Sequence, residues 1–375
     1  MSQCSILDHL QLNPLREIEE NMNSIAKTPK IHRSEFLSFV HKPELLKIPY
    51  PVLEGSYFPL LTALNVSHIQ YDLETDPWVI KLLNNQRQGL DSSKQLQKVF
   101  MSNKTYCAEQ LKKFASKAQA MYEELGRSAT DWYIHQCIWK FENMIRVTDP
   151  QLFDWSRDEQ EHLLKILKTL PLSEDLSHPM SLDEISPKVE KLIDILVTEA
   201  GEDFTGLVFA EQRVWVAALA EILCLHPQTR DLITIGTFVG TSQSSKRRGN
   251  IADLVEAPNQ EDTLDDFRTG KKNIILSTSV LEEGIDISSC HLVICFERPK
   301  NLKSFIQRRG RARKQKSKYL IFQAESTGGS PEIWESLEEQ MKAAYLNDLR
   351  EVKQAEERED IDEEGGMFYK VPSTG

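Results

Sequence analysis

Short apolar runs recur along the second half of the chain. Thr205-Gly-Leu-Val-Phe-Ala210, Leu232-Ile-Thr-Ile235, Asn273 to Ser277, His291 to Phe296 and Tyr319 to Gln323 each read as a strand. Between them Val214 to Leu225, Glu261 to Arg268 and Leu302 to Arg309 read as helices. Strand and helix in alternation imply a parallel sheet, because parallel neighbours need a crossover connection and the crossover helices cover both faces. Ligands of such sheets gather at the carboxyl ends of the strands, where the loops carrying Thr278 and Gly310 fall. The fold class is α/β for residues 181–325.

The preceding region has a different texture. Lys104 to Leu125 and Thr130 to Ile145 place apolar and aromatic residues at steps of three and four with little strand signal, so residues 56–175 read as an all-α helical bundle. Trp132, Tyr133, Trp139 and Phe141 are expected in its core. Before it, within residues 1–55, Pro14 to Phe39 reads as a helical hairpin, and Pro43, Pro49, Pro51 and Pro59 mark an extended connector. Residues 330–365 read as one long charged helix, ending near Gly365-Gly366.

Charge is distributed unevenly. The 375 residues carry 45 Lys plus Arg against 57 Asp plus Glu, for a net charge of −12, which argues against an indiscriminate polycation. Between Glu325 and Glu364 fourteen acidic and four basic residues give −10, so that segment nearly accounts for the total. From Arg298 to Lys318, by contrast, there are ten basic residues and no acidic one. At the centre of that island stands Gln307-Arg308-Arg309-Gly310-Arg311-Ala312-Arg313, 21 residues after Asp286 of Ser277-Thr-Ser-Val-Leu-Glu-Glu-Gly-Ile-Asp286. Arginine stays charged and its planar fork grips phosphate oxygens in pairs, so the spacing points to phosphate.

Six cysteines without CxxC pairs support neither a zinc site nor a disulfide framework. No apolar run approaches the roughly 18 residues that span a bilayer, so no membrane is expected as a partner and a cytoplasmic or nuclear location fits.

Three of these segments, in order, resemble the motifs of the second RecA-like domain of superfamily 2 helicases, in the group shared by Dicer and the antiviral RNA sensors. Gly206-Leu-Val-Phe209 looks like motif IV, Ser277 to Asp286 like motif V and Gln307 to Arg313 like motif VI. His32-Arg-Ser-Glu-Phe-Leu-Ser-Phe-Val-His-Lys-Pro43, preceded by Lys27-Thr-Pro29, resembles the end of the first helicase domain of fungal Dicer-like proteins. Leu337-Glu-Glu-Gln-Met-Lys-Ala-Ala-Tyr345 and Phe368-Tyr-Lys-Val-Pro-Ser-Thr-Gly375 look like their linker helix and the first residues of their dimerisation domain. The resemblance implies a RecA-like helicase C-terminal domain with an inserted helical bundle and a long C-terminal helix, cut from the middle of a Dicer-like protein. In that scheme residues 1–55 are a remnant following the first helicase domain plus a linker, and residues 366–375 begin the dimerisation domain.

The family binds ATP phosphates with a loop ending in Gly-Lys-Ser/Thr and holds magnesium with an Asp-Glu pair. Gly270-Lys271-Lys272 lacks the earlier glycine and precedes a strand, and Asp183-Glu184, Asp158-Glu159 and Ser128-Ala129-Thr130 read as structural imitations. ATP is therefore expected in a site shared with a domain whose motifs the sequence lacks, and magnesium only in an intact parent.

The resemblance implies arginine-finger roles for Arg311 and Arg313, with Gln307 coupling the site to the domain interface. Gly284 and Asp286 would face the nucleotide, Asp286 alternatively capping a turn. Thr278, Ser279, Gly284 and Arg308 would contact RNA. Lys246-Arg-Arg248 either grips a duplex backbone or is a solvated loop. Glu282 and Glu283 would be surface or interdomain partners. The partners implied are double-stranded RNA and the first helicase domain and nuclease portion of a Dicer-like protein. A module that binds duplex RNA or a protein partner without hydrolysis and, less favoured, a DNA repair helicase remnant are the competing readings.

Overall fold

The computed structural model describes residues 43–147, 155–174, 180–240, 250–255, 262–282 and 289–325 except positions 54 and 56, together with residues 257, 287 and 336. The hairpin expected at Pro14 to Phe39 and the helix expected at 330–365 lie outside them. Chain contacts define two compact units, residues 43–298 with 311–328, and residues 1–42, 299–310 and 329–375.

In the first unit a six-stranded parallel sheet has the order β1-β6-β5-β2-β4-β3. The strands are β1 (Glu44–Tyr50), β2 (Gly206–Phe209), β3 (Ile235–Phe238), β4 (Ile274–Ser277), β5 (Leu292–Cys295) and β6 (Lys318–Ala324). β2, β4 and β5 are buried at every position, as expected of strands covered on both faces. From β2 the chain crosses to the edge strand β3, returns to β4 beside β2, and then passes to β5 and β6 on the other side of β2, so the switch point lies between β2 and β5.

Two strands differ from the sequence reading. The run Leu232 to Ile235 is not the third strand: Leu232 lies in a turn, 40 % exposed, and the strand begins at Ile235. Gly236 and Thr237 dilute its apolar signal, yet both are buried; a Cβ at Gly236 would approach Thr263 Cγ2 to 2.7 Å. The proline-marked connector contains the edge strand β1, paired with β6 from Glu44↔Lys318 to Tyr50↔Ala324. Its Leu46, Ile48 and Tyr50 pack on the core at period two, and Pro49, which has no N–H to donate, is tolerated on an edge. At the opposite edge Lys272 Nζ donates to the Ile235 carbonyl at 2.7 Å, satisfying one edge acceptor.

The helical block comprises α1 (Pro59–Ile69), α2 (Pro77–Arg87), α3 (Ser93–Ser102), α4 (Tyr106–Leu125), α5 (Arg127–Val147) and α6 (Arg157–Leu167). Asp76 caps α2 by accepting from the Trp78 N–H at 2.9 Å, and Thr105 caps α4 by accepting from the Ala108 N–H at 3.2 Å. Ser156 and Glu159 form a reciprocal capping box on α6. Along α4 the stripe Leu111, Phe114, Ala118, Met121 and Leu125 is fully buried, as its spacing requires. Tyr133 and Phe141 are fully buried, whereas Trp139, expected inside, is 40 % exposed.

One continuous core joins block and sheet, reaching from Leu64, Phe114 and Phe141 through Leu192 of α7 (Pro187–Glu199) and Leu219 of α8 (Arg213–Leu225) to Ile274 and Leu320. A polar seam runs beside it. Gln110 and Asn250 are joined at 2.7 Å, Lys117 pairs with Asp253 at 2.5 Å, and Tyr133 Oη donates to the Ala252 carbonyl at 2.9 Å. At the α4–α5 corner Gly126 has φ +95, and a Cβ there would meet Ser186 N at 2.6 Å. The Ser128 N–H donates to the Glu184 carbonyl at 3.2 Å, and Ser128 Oγ accepts from the Glu184 N–H at 3.0 Å. Ser128-Ala129-Thr130 and Asp183-Glu184 are thus two halves of one structural corner.

In the second unit the described helix is α10 (Leu302–Arg309), following α9 (Thr263–Arg268) in the chain. Asn301 caps α10 by accepting from the Ser304 N–H at 2.9 Å, and the Arg309 guanidinium lies 5.2 Å from the Phe305 ring centre.

Candidate functional site

At the carboxyl edge of the sheet, β4 ends at Ser277, whose Oγ donates to the Phe238 carbonyl at 2.8 Å and so ties the end of β4 to the end of β3. Thr278 follows in extended conformation and opens a single 3-10 turn, Ser279–Leu281. Leu281 is buried and pins the turn, Thr278 is 9 % exposed, and Ser279 is exposed at the rim. The turn closes on Glu282, whose backbone carbonyl accepts from Arg311 Nη2 at 3.0 Å.

Arg311 is itself held at its backbone. Its carbonyl accepts from the Cys290 N–H at 3.1 Å, and the Lys314 N–H donates to the Cys290 carbonyl at 3.3 Å. The following turn is tied by Ser317 Oγ, which donates to the Ala312 carbonyl at 3.0 Å. Arg313, Lys314 and Lys316 are exposed, so this turn presents cationic side chains to solvent while Arg311 is partly buried. The Cys290 thiol is pushed up to about 12 by burial, partly offset by the charges of Arg311, Arg313 and Lys314. It is an inert neighbour of the arginines at neutral pH.

Arg311, Thr278 and Ser279 therefore come together through the Glu282 carbonyl. Gln307 and Arg308 lie on α10. Gln307 is half-buried, and Arg308, expected at a nucleic-acid surface, is only 2 % exposed. Gly284, Asp286, Glu283, Lys246, Arg247 and Arg248 lie outside the described residues. Among the described residues no group of three or more His, Cys, Asp or Glu side chains could hold a metal ion. No helix among them is long and apolar enough to cross a membrane. A cleft of about 230 Å³ lined by Trp132, Lys140, Glu221, Cys224 and Ile235 opens where β3 begins, away from the carboxyl edge.

Sequence reasoning missed a second group at this edge. Glu297, two residues past the end of β5, accepts on Oε2 from the Glu211 N–H at 2.9 Å, two residues past the end of β2. Its other carboxyl oxygen has no contact with solvent. Burial raises the Glu297 carboxyl to about 8, against the pull of Lys188. The available signal was a glutamate directly after a buried apolar run.

The six-stranded parallel sheet with its flanking helices is an α/β RecA-like fold with an inserted helical block. Residues 187–316 match the family described as helicase conserved C-terminal domain. The chain is 55% identical over 368 residues to Dicer-like protein 2 of Phaeosphaeria nodorum and 40% identical over 367 residues to Dicer-like protein 2 of Aspergillus oryzae. It is 39% identical over 363 residues to the protein of that name from Coccidioides immitis. Each match covers 96% of this chain but only 26%, 26% and 25% of the respective relative. The chain spans about a quarter of the length of those curated relatives, and along nearly its whole length it is similar to the part of a Dicer-like protein that holds the helicase C-terminal domain.

Proposed function

We propose that this chain supplies the second half of an ATP-dependent, double-stranded RNA translocating module of a Dicer-like protein acting in RNA silencing. The observation that carries the reading is the Arg311 Nη2 bond to the Glu282 carbonyl, because it fixes a guanidinium beside the turn opened by Thr278 at the strand ends. ATP, when bound between the two helicase domains, supplies the phosphoanhydride whose hydrolysis drives movement. Arg311 and Arg313 are cationic donors that suit its phosphates, Arg311 held in place by the Cys290 pairing and Arg313 exposed to reach outward. Gly284 and Asp286 belong to the same nucleotide-facing set by their place in the motif. Thr278 and Ser279 offer a backbone N–H and hydroxyls to an RNA backbone.

The sequence contains no Gly-Lys-Ser/Thr loop, so the isolated chain is expected to lack ATPase activity, and magnesium enters only with the partner half. The test is RNA-stimulated hydrolysis by the purified 375-residue chain, alone and mixed with a first helicase domain from a Dicer-like protein 2 relative. No turnover alone and turnover on mixing is the expected outcome; turnover by the chain alone would overturn the reading.

The exposed Arg313, Lys314 and Lys316 favour a second reading, a duplex RNA or protein binding module that works without hydrolysis. Salt-sensitive duplex binding with no gain of turnover on mixing would support it. A preference for DNA over RNA duplexes would move the assignment to DNA repair helicases.

A further inference from the structure

Four elements converge behind the carboxyl edge on one buried cation. Lys188, in the first turn of α7, is 2 % exposed. Its Nζ lies 4.2 Å from the centre of the Phe296 ring and 4.9 Å from that of Tyr50, and it forms a short ion pair with Glu124 near the end of α4. Phe296 immediately precedes Glu297, whose carboxyl holds the Glu211 N–H. The charged and titratable groups that face Glu297 are Lys188 of α7, Glu124 of α4 and Glu211 beyond β2; Tyr50 of β1 shares the same field.

We propose that Lys188, Glu124 and Glu297 form one joint that fixes the β2–α8 turn at the carboxyl edge of the sheet to the helical block, making Lys188 and Glu297 positioning residues for that edge. The inference does not depend on the helicase reading. A lysine this deep needs a counter-charge, and Glu124 provides it from the helical block. The two aromatic rings hold the ammonium between them. A second ionised carboxylate in the same pocket would leave the group with a net negative charge, and burial keeps Glu297 protonated at neutral pH. In that state Glu297 still accepts from the Glu211 N–H, so the turn is held by a neutral acid. Movement of α4 is thereby passed through Lys188 to the backbone beyond β2.

The sign of the linkage follows from the raised carboxyl. In the unfolded chain Glu297 loses its proton near the ordinary value of 4.5, but in the folded protein only near 8. Between those values folding must take up a proton, so stability falls as pH rises and then levels off. Glu297→Gln keeps the acceptor and removes the titration.

The experiment is urea unfolding of the full chain from pH 5 to 9, wild type against Glu297→Gln, with hydrogen exchange on both. The ratio of the two unfolding constants should change in favour of the glutamine variant by nearly tenfold per pH unit through the middle of that window. A ratio independent of pH would overturn the proposal. In Lys188→Met, exchange should quicken together in peptides covering Glu211 and the end of α4, and adding Glu124→Gln should leave the Glu211 peptides fast, because the joint is then absent altogether. Quickening confined to α4 would also overturn it. Should Lys188→Met fail to fold, Glu124→Gln alone carries the same exchange comparison.

Discussion

Arg311 Nη2 donates to the backbone carbonyl of Glu282 at 3.0 Å, joining the turn after β4 to the segment before β6. A lysine could keep the charge but not the planar fork that makes this bond while presenting other N–H groups elsewhere. In a mixture with a partner domain that supplies the phosphate loop, Arg311→Ala should lower RNA-stimulated hydrolysis by about 10³-fold. Arg311→Lys should recover little of it. Activity within threefold of wild type for the lysine variant would show that charge alone suffices and that the fork is irrelevant.

The parts of this fold that were legible in the sequence are those set by local chemistry. β2, β4 and β5 announce themselves because a strand buried on both faces must be apolar at each position. α4 and α5 do so through their helical stripes. What escaped depends on distant partners. β1 exists because β6, some 270 residues later, pairs with it, and its prolines read locally as a connector. Gly236 and Thr237 are buried because α9 packs on β3, an association no local pattern encodes. At the site, motif spacing pointed to Arg311, which the structure holds against the Glu282 carbonyl. Arg308 is buried where an arginine is exposed by default, and the Lys188 group was invisible because its members are 60 to more than 100 residues apart.

Arg313, Lys314 and Lys316 stand exposed on the turn that Ser317 ties, within a stretch from Arg298 to Lys318 that contains no acidic residue. If the turn contacts the backbone of duplex RNA, Arg313→Ala should weaken binding similarly for unrelated sequences. It should also lower the slope of log K against log salt by about 1. Fluorescence anisotropy between 50 and 300 mM salt measures both. An unchanged slope with weaker binding would place Arg313 outside the contact and its effect in folding.

The described cysteines should separate by burial. Cys107, Cys137, Cys290 and Cys295 are buried and Cys224 is exposed on α8. Burial pushes the thiols of Cys137 and Cys290 up to about 12 and raises that of Cys107 further, so few are thiolates at pH 8. Brief iodoacetamide treatment of the folded chain, read by peptide mass spectrometry, should modify Cys224 well ahead of the other four. Urea should equalise them. Rapid native labelling of Cys290 would show that the Arg311 to Lys314 segment opens, because the two are joined through backbone hydrogen bonds.

The corner at Gly126 and the seam at Tyr133 make different claims on stability, and one pair of variants distinguishes them. Gly126 combines φ +95 with backbone atoms of Glu184 and Ser186 within 2.7 Å of any added Cβ, so an alanine has no rotamer by which to escape. Gly126→Ala should cost about 2–3 kcal/mol or more, with a lowered urea midpoint, because the α4–α5 corner and the entry to α7 must part. Tyr133→Phe loses only the hydroxyl that donates to Ala252, and Lys117 Nζ still donates to that carbonyl at 3.3 Å. Its cost should stay near 1 kcal/mol, since the acceptor keeps a partner and the ring still fills its place. The reverse order of costs would mean that the polar seam, not the glycine corner, holds the helical block to the sheet.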